Sequence, residues 1–186
     1  SSLDGVRGVE GDAARTYFGV FGHMVRVGPA FELQGRTRRP PRDRANALLS
    51  FLYALVRGEC AAALEGAGLD PQVGFLHGLR PGRPALALDL MEELRPLMAD
   101  RLALALVNRR MLDDGDFEVT PGGGVLLTDT GRRAVIAAYQ TRKEVLVSHP
   151  ILRQQLPLGL VPHIQARLLA RHLRGDLPHY PAFVGK

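Results

Sequence analysis

Apolar residues recur at intervals of three and four along most long segments of this chain of 186 residues. That spacing places side chains on one face of a helix, whereas a half-buried strand would need strict alternation. The clearest segment runs from about Asp43, the expected N-cap, to about Leu64. Its apolar face consists of Leu48, Leu49, Leu52, Leu55 and Val56. The chain is therefore expected to be mainly α-helical.

Five further segments have the same helical periodicity. They are about Gly8 to Phe21, Ala85 to Arg95, Leu97 to Arg109, Thr130 to Ser148 and Pro162 to Arg174. Pro96 would either kink one helix or occupy the first turn of the next. One small β-hairpin is expected where Phe117–Val119 and Val125–Leu127 flank a glycine-rich turn. The predicted fold is a single helical domain over residues 1–186, with a tail from about residue 175 to residue 186.

The composition is that of a globular protein with one core. Hydrophobic residues make up 46% of the chain and charged residues 23%, which excludes a disordered or disulfide-framed chain. The single cysteine, Cys60, lies in an apolar stretch and can form no internal disulfide, so a reducing cytoplasm is expected. Without a run of about 18 apolar residues or a secretory leader, we expect a soluble protein with no membrane partner.

Arginine carries almost all of the positive charge. The formal net charge is +5, and Lys143 and Lys186 are the only lysines. Because the arginine fork bonds two phosphate oxygens at once, this composition favours a nucleic-acid partner, although it can also reflect genome base composition. Arginines crowd one loop without an interleaved aromatic residue, which favours backbone phosphate contact, with a solvated linker as the alternative. These are Arg36, Arg38, Arg39, Arg42 and Arg44.

Acidic and imidazole groups in three places are candidates for chemistry. Glu10 lies on the apolar face of the first helix, and His77 opens a loop. Asp89 lies three and four residues before Glu92 and Glu93, so the three carboxylates share one helix side. The alternatives are an ion pair of Glu10 with a neighbouring arginine, a structural histidine and solvated acids. Two carboxylates and one imidazole would suit Mg²⁺ or Mn²⁺.

Four blocks of the sequence resemble one known family. They read RGVEGDAAR at residues 7–15, NALLSFLY at 46–53, GLDP to GFLH at 68–77 and LALDLMEELRP at 86–96. In order and spacing these blocks resemble the CRISPR-associated integrase-endonuclease of spacer acquisition. The resemblance implies its helical catalytic domain, without the N-terminal β domain through which the family dimerises.

The resemblance also implies roles for individual residues. By position in the family's motifs, the metal ligands would be Glu10, His77 and Glu92, with Asp89 as an accessory catalytic acid. The choice of Glu92 over its neighbour Glu93 rests on the resemblance alone. The nucleic-acid-binding candidates are Arg7, Arg95, Asn46 and Tyr53, with Arg38 and Arg39 added from the basic loop; for the first four, a supporting role beside the site is the alternative.

The family's reaction is a transesterification. In it, the 3′-hydroxyl of a protospacer strand attacks a phosphodiester at the boundary of a CRISPR repeat. The implied partners are double-stranded DNA, a second copy of the full-length protein and the small second CRISPR-associated protein. The closing Tyr180 to Phe183 is similar to subtypes that also use an iron-sulfur nuclease. Two alternatives remain: a catalytically silent DNA-binding or assembly module, and an unrelated metal-dependent phosphodiesterase.

Overall fold

The computed structural model describes residues 2–28, 31–33 and 35–184. These residues are mainly helical, as predicted, with two short antiparallel hairpins. The helices are α1 (Leu3–Phe21), α2 (Arg44–Gly66), α3 (Ala85–Arg95), α4 (Arg101–Asn108), α5 (Asp129–Glu144) and α6 (Val161–Leu173). The hairpins pair β1 (Phe117–Val119) with β2 (Val125–Leu127) and β3 (Leu146–His149) with β4 (Gln154–Pro157).

The chain forms two compact units. The first consists of Ser1–Leu52 and Asp100–Ala138, and the second of Tyr53–Ala99 and Tyr139–Lys186. Both α2 and α5 contribute residues to each unit, so the boundary does not fall in a linker. The single-domain organisation expected from the sequence stays a prediction.

In the first unit, α1 is held by aromatic side chains at its C-terminal end. The Ser2 hydroxyl caps its N-terminus by accepting from the backbone N–H of Gly5 at 3.2 Å. Phe18 and Phe21 are buried, and the Tyr17 ring meets Phe18 edge to face at 5.2 Å. The helix begins before the predicted start near Gly8, because a hydroxyl cap and not apolar periodicity sets its first turn.

In the second unit, α3 turns its apolar face inward. Leu86, Leu90, Met91 and Leu94 are buried, as the spacing predicted. After α3 the chain continues through a π-helical turn, Pro96–Asp100, into α4. Proline has no N–H to give to the preceding turn, and the wider π turn accommodates that missing bond without ending the helix.

The end of α5 differs from the prediction. The helix ends at Glu144, not near Ser148, and the next residues form β3. The hairpin of β3 and β4 was not predicted, so the described residues contain two hairpins where one was expected. Val145 and Val147 favour extended backbone, and alternation in so short a run is masked by the strong helical pattern before it.

Helix α2 is, within the described part of the chain, the one helix long and apolar enough to cross a membrane by length and composition alone. Its residues Leu48, Leu49, Leu52 and Val56 are fully buried. Burial of that face is what a core helix of a folded protein requires.

Candidate metal centre

The carboxylate of Asp89 organises the loop that carries His77. One oxygen accepts the backbone N–H groups of Phe75 and Leu76 at 2.6 and 3.1 Å. The other accepts the backbone N–H of His77 at 3.0 Å and lies 2.6 Å from the Nδ1 atom of its ring. An ionised carboxylate can only accept, so Nδ1 carries the proton of this bond and Nε2 keeps a lone pair available to a metal.

The same loop lies very close to the start of α3. A Cβ atom on Gly74 would come within 2.7 Å of the backbone of Ala85 and 2.8 Å of an Asp89 carboxylate oxygen. Only glycine fits this approach, since both neighbours are fixed by the helix. The close contact lets one carboxylate bind three successive N–H groups and the imidazole.

The contacts of Asp89 favour a positioning role. The sequence marked this residue as an accessory catalytic acid, whereas its side chain, 13% exposed, is used to hold the loop and the ring of His77. In metal sites a carboxylate on the far ring nitrogen fixes the tautomer and aim of a ligating histidine. Asp89 has that geometry, and any direct part in the chemistry stays a prediction.

Glu92 lies one helical turn from Asp89 and is held by Arg95. The Arg95 guanidinium donates to both carboxylate oxygens, at 3.1 and 2.9 Å, while its carbon lies 5.3 Å from the centre of the Tyr53 ring. Fork-to-fork pairing fixes the plane of the carboxylate, and stacking on the ring fixes the fork. Arg95 and Tyr53 thus hold the Glu92 carboxylate, and the DNA contacts also predicted for them stay predictions.

Glu93, which helical spacing alone could not separate from Glu92, is used elsewhere. Tyr180 and the backbone N–H of Phe183 each donate a hydrogen bond to its carboxylate, and Gln165 donates a third at 3.2 Å. Burial raises the pKa of Glu93, and these hydrogen bonds oppose the shift. Gln165 is itself fully buried and accepts from the Nε2 atom of His149 at 3.1 Å. This carboxylate anchors the C-terminal segment.

In the first unit, Glu10 is half-buried on α1. The two neighbouring arginines bond other acids: Arg7 reaches Asp4 at 3.3 Å and Arg15 reaches Asp12 at 3.0 Å. Each guanidinium thus bonds the acid three residues before it. The ion pair of Glu10 with a neighbouring arginine stays open as an alternative. Arg7 is also exposed, as a DNA contact must be.

The arginine-rich loop is anchored by Asn46. Its side chain is fully buried and bonds the N–H of Thr37 at 3.0 Å, the carbonyl of Gly35 at 2.9 Å and a carboxylate oxygen of Asp43 at 2.6 Å. Arg36 donates to the same amide oxygen at 2.7 Å. The buried side chain of Asn46 therefore holds the loop, and a contact of this residue with DNA stays a prediction.

The arginines of this loop differ in availability. Arg36 also bonds Ser50 at 3.0 Å, which uses it to hold the loop on α2. Arg38 and Arg39 are exposed, and Arg38 lines a groove of ≈ 470 Å³ beside α1. Arg42 reaches the Gly122 carbonyl at 3.3 Å. Charge alone could not tell the anchoring arginine from the available ones.

These features define the class of protein. It is a mainly helical domain in which the loop before α3 presents a histidine oriented by Asp89, and α3 presents a glutamate oriented by Arg95. Residues 1–141 match the family model described as CRISPR associated protein Cas1. The chain belongs to the Cas1 family.

Curated relatives agree with the family model. The chain is 59% identical to the CRISPR-associated endonuclease Cas1 1 of Moorella thermoacetica over 98% of this chain and 53% of the relative. It is 47% identical to the CRISPR-associated endonuclease Cas1 of Leptospira interrogans over 100% of this chain and 73% of that relative. A Cas4/Cas1 fusion of Geobacter sulfurreducens is 46% identical over 98% of this chain and 33% of the fusion. The chain spans about half the length of several curated relatives.

Solved structures share the fold. A casposase bound to integration product superposes with a TM-score of 0.88 at 27% identity, over 96% of this chain and 52% of the casposase. A Cas6-RT-Cas1–Cas2 complex contains a chain with a TM-score of 0.85 at 25% identity, over 100% of this chain and 20% of that one.

Proposed function

We propose that the chain is the catalytic part of a metal-dependent DNA integrase-endonuclease of CRISPR adaptation, with Glu10, His77 and Glu92 as its metal ligands. One observation carries the proposal. In the second unit, His77 and Glu92 each offer one ligand atom, and these two atoms lie within 4.8 Å of one another. A loop histidine and a helix glutamate have no local reason to converge, so a shared ion is the simplest use of them. Glu10 is proposed as the third ligand on its place in the family motif.

The donor set suits a hard divalent cation. Two carboxylates and one neutral imidazole match Mg²⁺ or Mn²⁺ better than the thiolate-rich sets that soft metals prefer. All three residues are half-buried, which leaves room for a phosphate oxygen and water. A bound cation there would polarise a phosphoryl group and stabilise the charge that develops on it.

The surrounding residues would prepare this site. Asp89 keeps the Nε2 atom of His77 free, and Arg95 fixes the plane of the Glu92 carboxylate. Pre-aimed ligands need no reorganisation when the substrate arrives, which is the main way proteins accelerate phosphoryl transfer. Arg38 and Arg39 would contact DNA phosphates from the exposed loop.

The proposed reaction exchanges one phosphodiester for another. The 3′-oxygen of an incoming strand bonds to a phosphorus atom, the bond from that phosphorus to the original strand breaks, and the hydroxyl proton passes to the departing oxygen through solvent. Because one ester bond replaces another, no nucleotide cofactor is needed. The relatives named as Cas1 endonucleases and the casposase bound to integration product support this class of reaction.

The proposed partners follow from the same relatives. We propose that the protein acts on DNA in the cytoplasm of a prokaryote together with a Cas2 protein, in line with the Cas1–Cas2 complex of similar fold. The Cas4/Cas1 fusion supports a Cas4 exonuclease as a further partner. That this partner is the iron-sulfur nuclease expected from the family resemblance is part of the proposal. A homodimer of the full-length protein is proposed on the family resemblance.

The test compares His77→Ala with His163→Ala, which replaces an exposed histidine on α6. Mn²⁺ binding is measured by calorimetry, and strand joining is measured with a labelled protospacer, a repeat-bearing plasmid and a Cas2 protein. We expect His77→Ala to weaken Mn²⁺ binding and to slow strand joining, each by roughly 100-fold or more, about 3 kcal/mol. His163→Ala should retain wild-type binding and joining. EDTA should abolish joining by the wild type.

The two rival functions have separate outcomes. If the wild type binds DNA but joins none, with or without Mn²⁺, the silent assembly module is the better description. Cleavage without joining, independent of the repeat sequence, would point to an unrelated phosphodiesterase.

A further inference from the structure

The loop that carries His77 exposes apolar side chains. Val73 is 53% exposed, Phe75 58% and Leu79 68%, so the histidine is flanked on both sides by uncovered hydrocarbon. Single exposed apolar residues are common on proteins, but three in one short loop, here together called the apolar patch, call for an explanation.

The aromatic residue of this patch has a fixed support. The backbone N–H of Phe75 donates to Asp89 at 2.6 Å, and the same carboxylate holds the ring of His77. Gly74, directly before it, is packed against Ala85 too closely for any side chain. The Phe75 ring is therefore exposed on a backbone that is held in place, two residues from a proposed metal ligand.

We propose that Phe75 is a stacking platform for an unpaired base of the DNA strand held at the metal centre. The inference rests on the proposed function. It adds a residue that would contact a base, whereas the arginines would contact phosphates. Aromatic rings bind bases of any identity through their faces, so the platform would position a nucleotide without selecting its sequence.

Charge on the same loop favours a nucleotide over a protein partner. Arg80 is exposed and follows Leu79 directly, and Arg83 comes three residues later. An aromatic platform with guanidinium groups a few residues away is the pattern used to bind single strands, in which bases stack while phosphates pair. The arginine-rich loop between residues 35 and 44 has no aromatic residue, so it would contact phosphates only.

The chain contains no tryptophan, which makes the test direct. Phe75→Trp introduces a single fluorophore at the proposed platform, and Val119→Trp introduces one at a 72% exposed site on β1 as the matched control. Each variant is titrated with a single-stranded oligonucleotide in Mg²⁺, and with the same oligonucleotide made abasic. We expect the fluorescence of the Phe75→Trp variant to be quenched by the base-containing strand alone, and the control to be unaffected.

A second pair of variants measures affinity. Phe75→Ala should weaken single-strand binding about 10-fold by fluorescence anisotropy, with unchanged Mn²⁺ affinity and melting temperature, while Val119→Ala should bind as the wild type does. Equal affinity of Phe75→Ala and the wild type, with no quenching in the Phe75→Trp variant, would overturn the inference and leave the metal centre standing. Fluorescence that changes only with protein concentration would assign the patch to a protein contact and also overturn it. If the wild type itself binds neither strand nor Mn²⁺, the proposed function fails first.

Discussion

At the scale of single residues, three carboxylates of α3 have three different uses. Asp89 bonds a loop and an imidazole, Glu92 is held by a guanidinium, and Glu93 anchors the C-terminal segment. They lie on one side of the same helix, yet each side chain meets different neighbours. The partner, not the residue type, decides what each carboxylate does.

Asp89→Asn tests the positioning of His77. The amide oxygen can still accept from the N–H groups of Phe75 and Leu76. Its NH₂ group, in place of the other oxygen, can face Nδ1 and favour the tautomer that protonates Nε2, and the His77 N–H loses its acceptor. We expect Mn²⁺ affinity to fall about 10- to 100-fold, measured by calorimetry. The melting temperature should fall only moderately, because two of the three loop N–H groups keep their acceptor. Unaltered Mn²⁺ affinity would mean that the bond does not orient the ligand; Asp70→Asn, on the preceding turn, is the control.

Cys60 should be chemically inert in the native protein. It is fully buried, and burial with nearby Glu93 and Glu59 raises the pKa of its thiol to about 12. Since the folded pKa lies above the ordinary thiol value of 9.0, the contribution of Cys60 to stability is present below pH 9 and is lost as pH rises toward 12. We expect negligible labelling by iodoacetamide at about pH 8 and full labelling in urea. Rapid native labelling would contradict the burial.

At the scale of elements, two of the described loop segments are held by buried polar side chains. Asn46, at the start of α2, bonds Gly35, Thr37 and Asp43, and thereby draws the arginine-rich loop onto the helix. In the second unit, Gln165 of α6 does the same for the C-terminal segment by donating to the Pro181 carbonyl at 3.1 Å. Such bonds stabilise strongly because their loss would leave polar groups buried without partners.

Asn46→Ala should therefore destabilise the protein. Removing the amide leaves several buried backbone and side-chain groups without their hydrogen-bond partner. We therefore expect a loss of more than about 2 kcal/mol in the free energy of unfolding, measured by urea denaturation. Gln72→Ala, at an exposed position, should change it by less than about 0.5 kcal/mol. A small loss for Asn46→Ala would show that water replaces these bonds.

At the scale of the whole molecule, positive charge is divided between structure and surface. Arg36 and Arg95 hold neighbouring side chains, while Arg38 and Arg39 are exposed. A net charge of +5 attracts DNA at long range, but only exposed guanidinium groups can displace counterions from it.

The double variant Arg38→Ala/Arg39→Ala tests this division. Each lost phosphate contact should reduce the slope of log Kd against log salt by about 1, so a decrease approaching about 2 is expected in fluorescence anisotropy titrations between low and moderate salt. Arg132→Ala, in which a half-buried arginine paired with Asp129 is removed, is the control. An unchanged slope would remove both arginines from the DNA surface.

The amino-acid sequence by itself determined the helices and the identity of the family. Periodicity located α2, α3 and the first hairpin, because a local pattern of apolar residues is enough to define a face. It did not locate the hairpin of β3 and β4, whose short strands pair with each other and whose alternation is too brief to recognise. The family motifs alone point to Glu10, His77 and Glu92.

Only the tertiary structure decided how these residues are supported. Spacing could not separate Glu92 from Glu93, assign Asp89 to the loop of His77, or tell Arg36 from Arg38, because each distinction depends on contacts with residues distant in sequence. The exposure of Phe75 also depends on tertiary contacts. In the sequence it is an ordinary apolar residue, whereas in the structure its backbone is bonded to Asp89 and its ring is exposed. Local pattern determines the elements, whereas the role of a polar or exposed side chain is decided by what folding brings beside it.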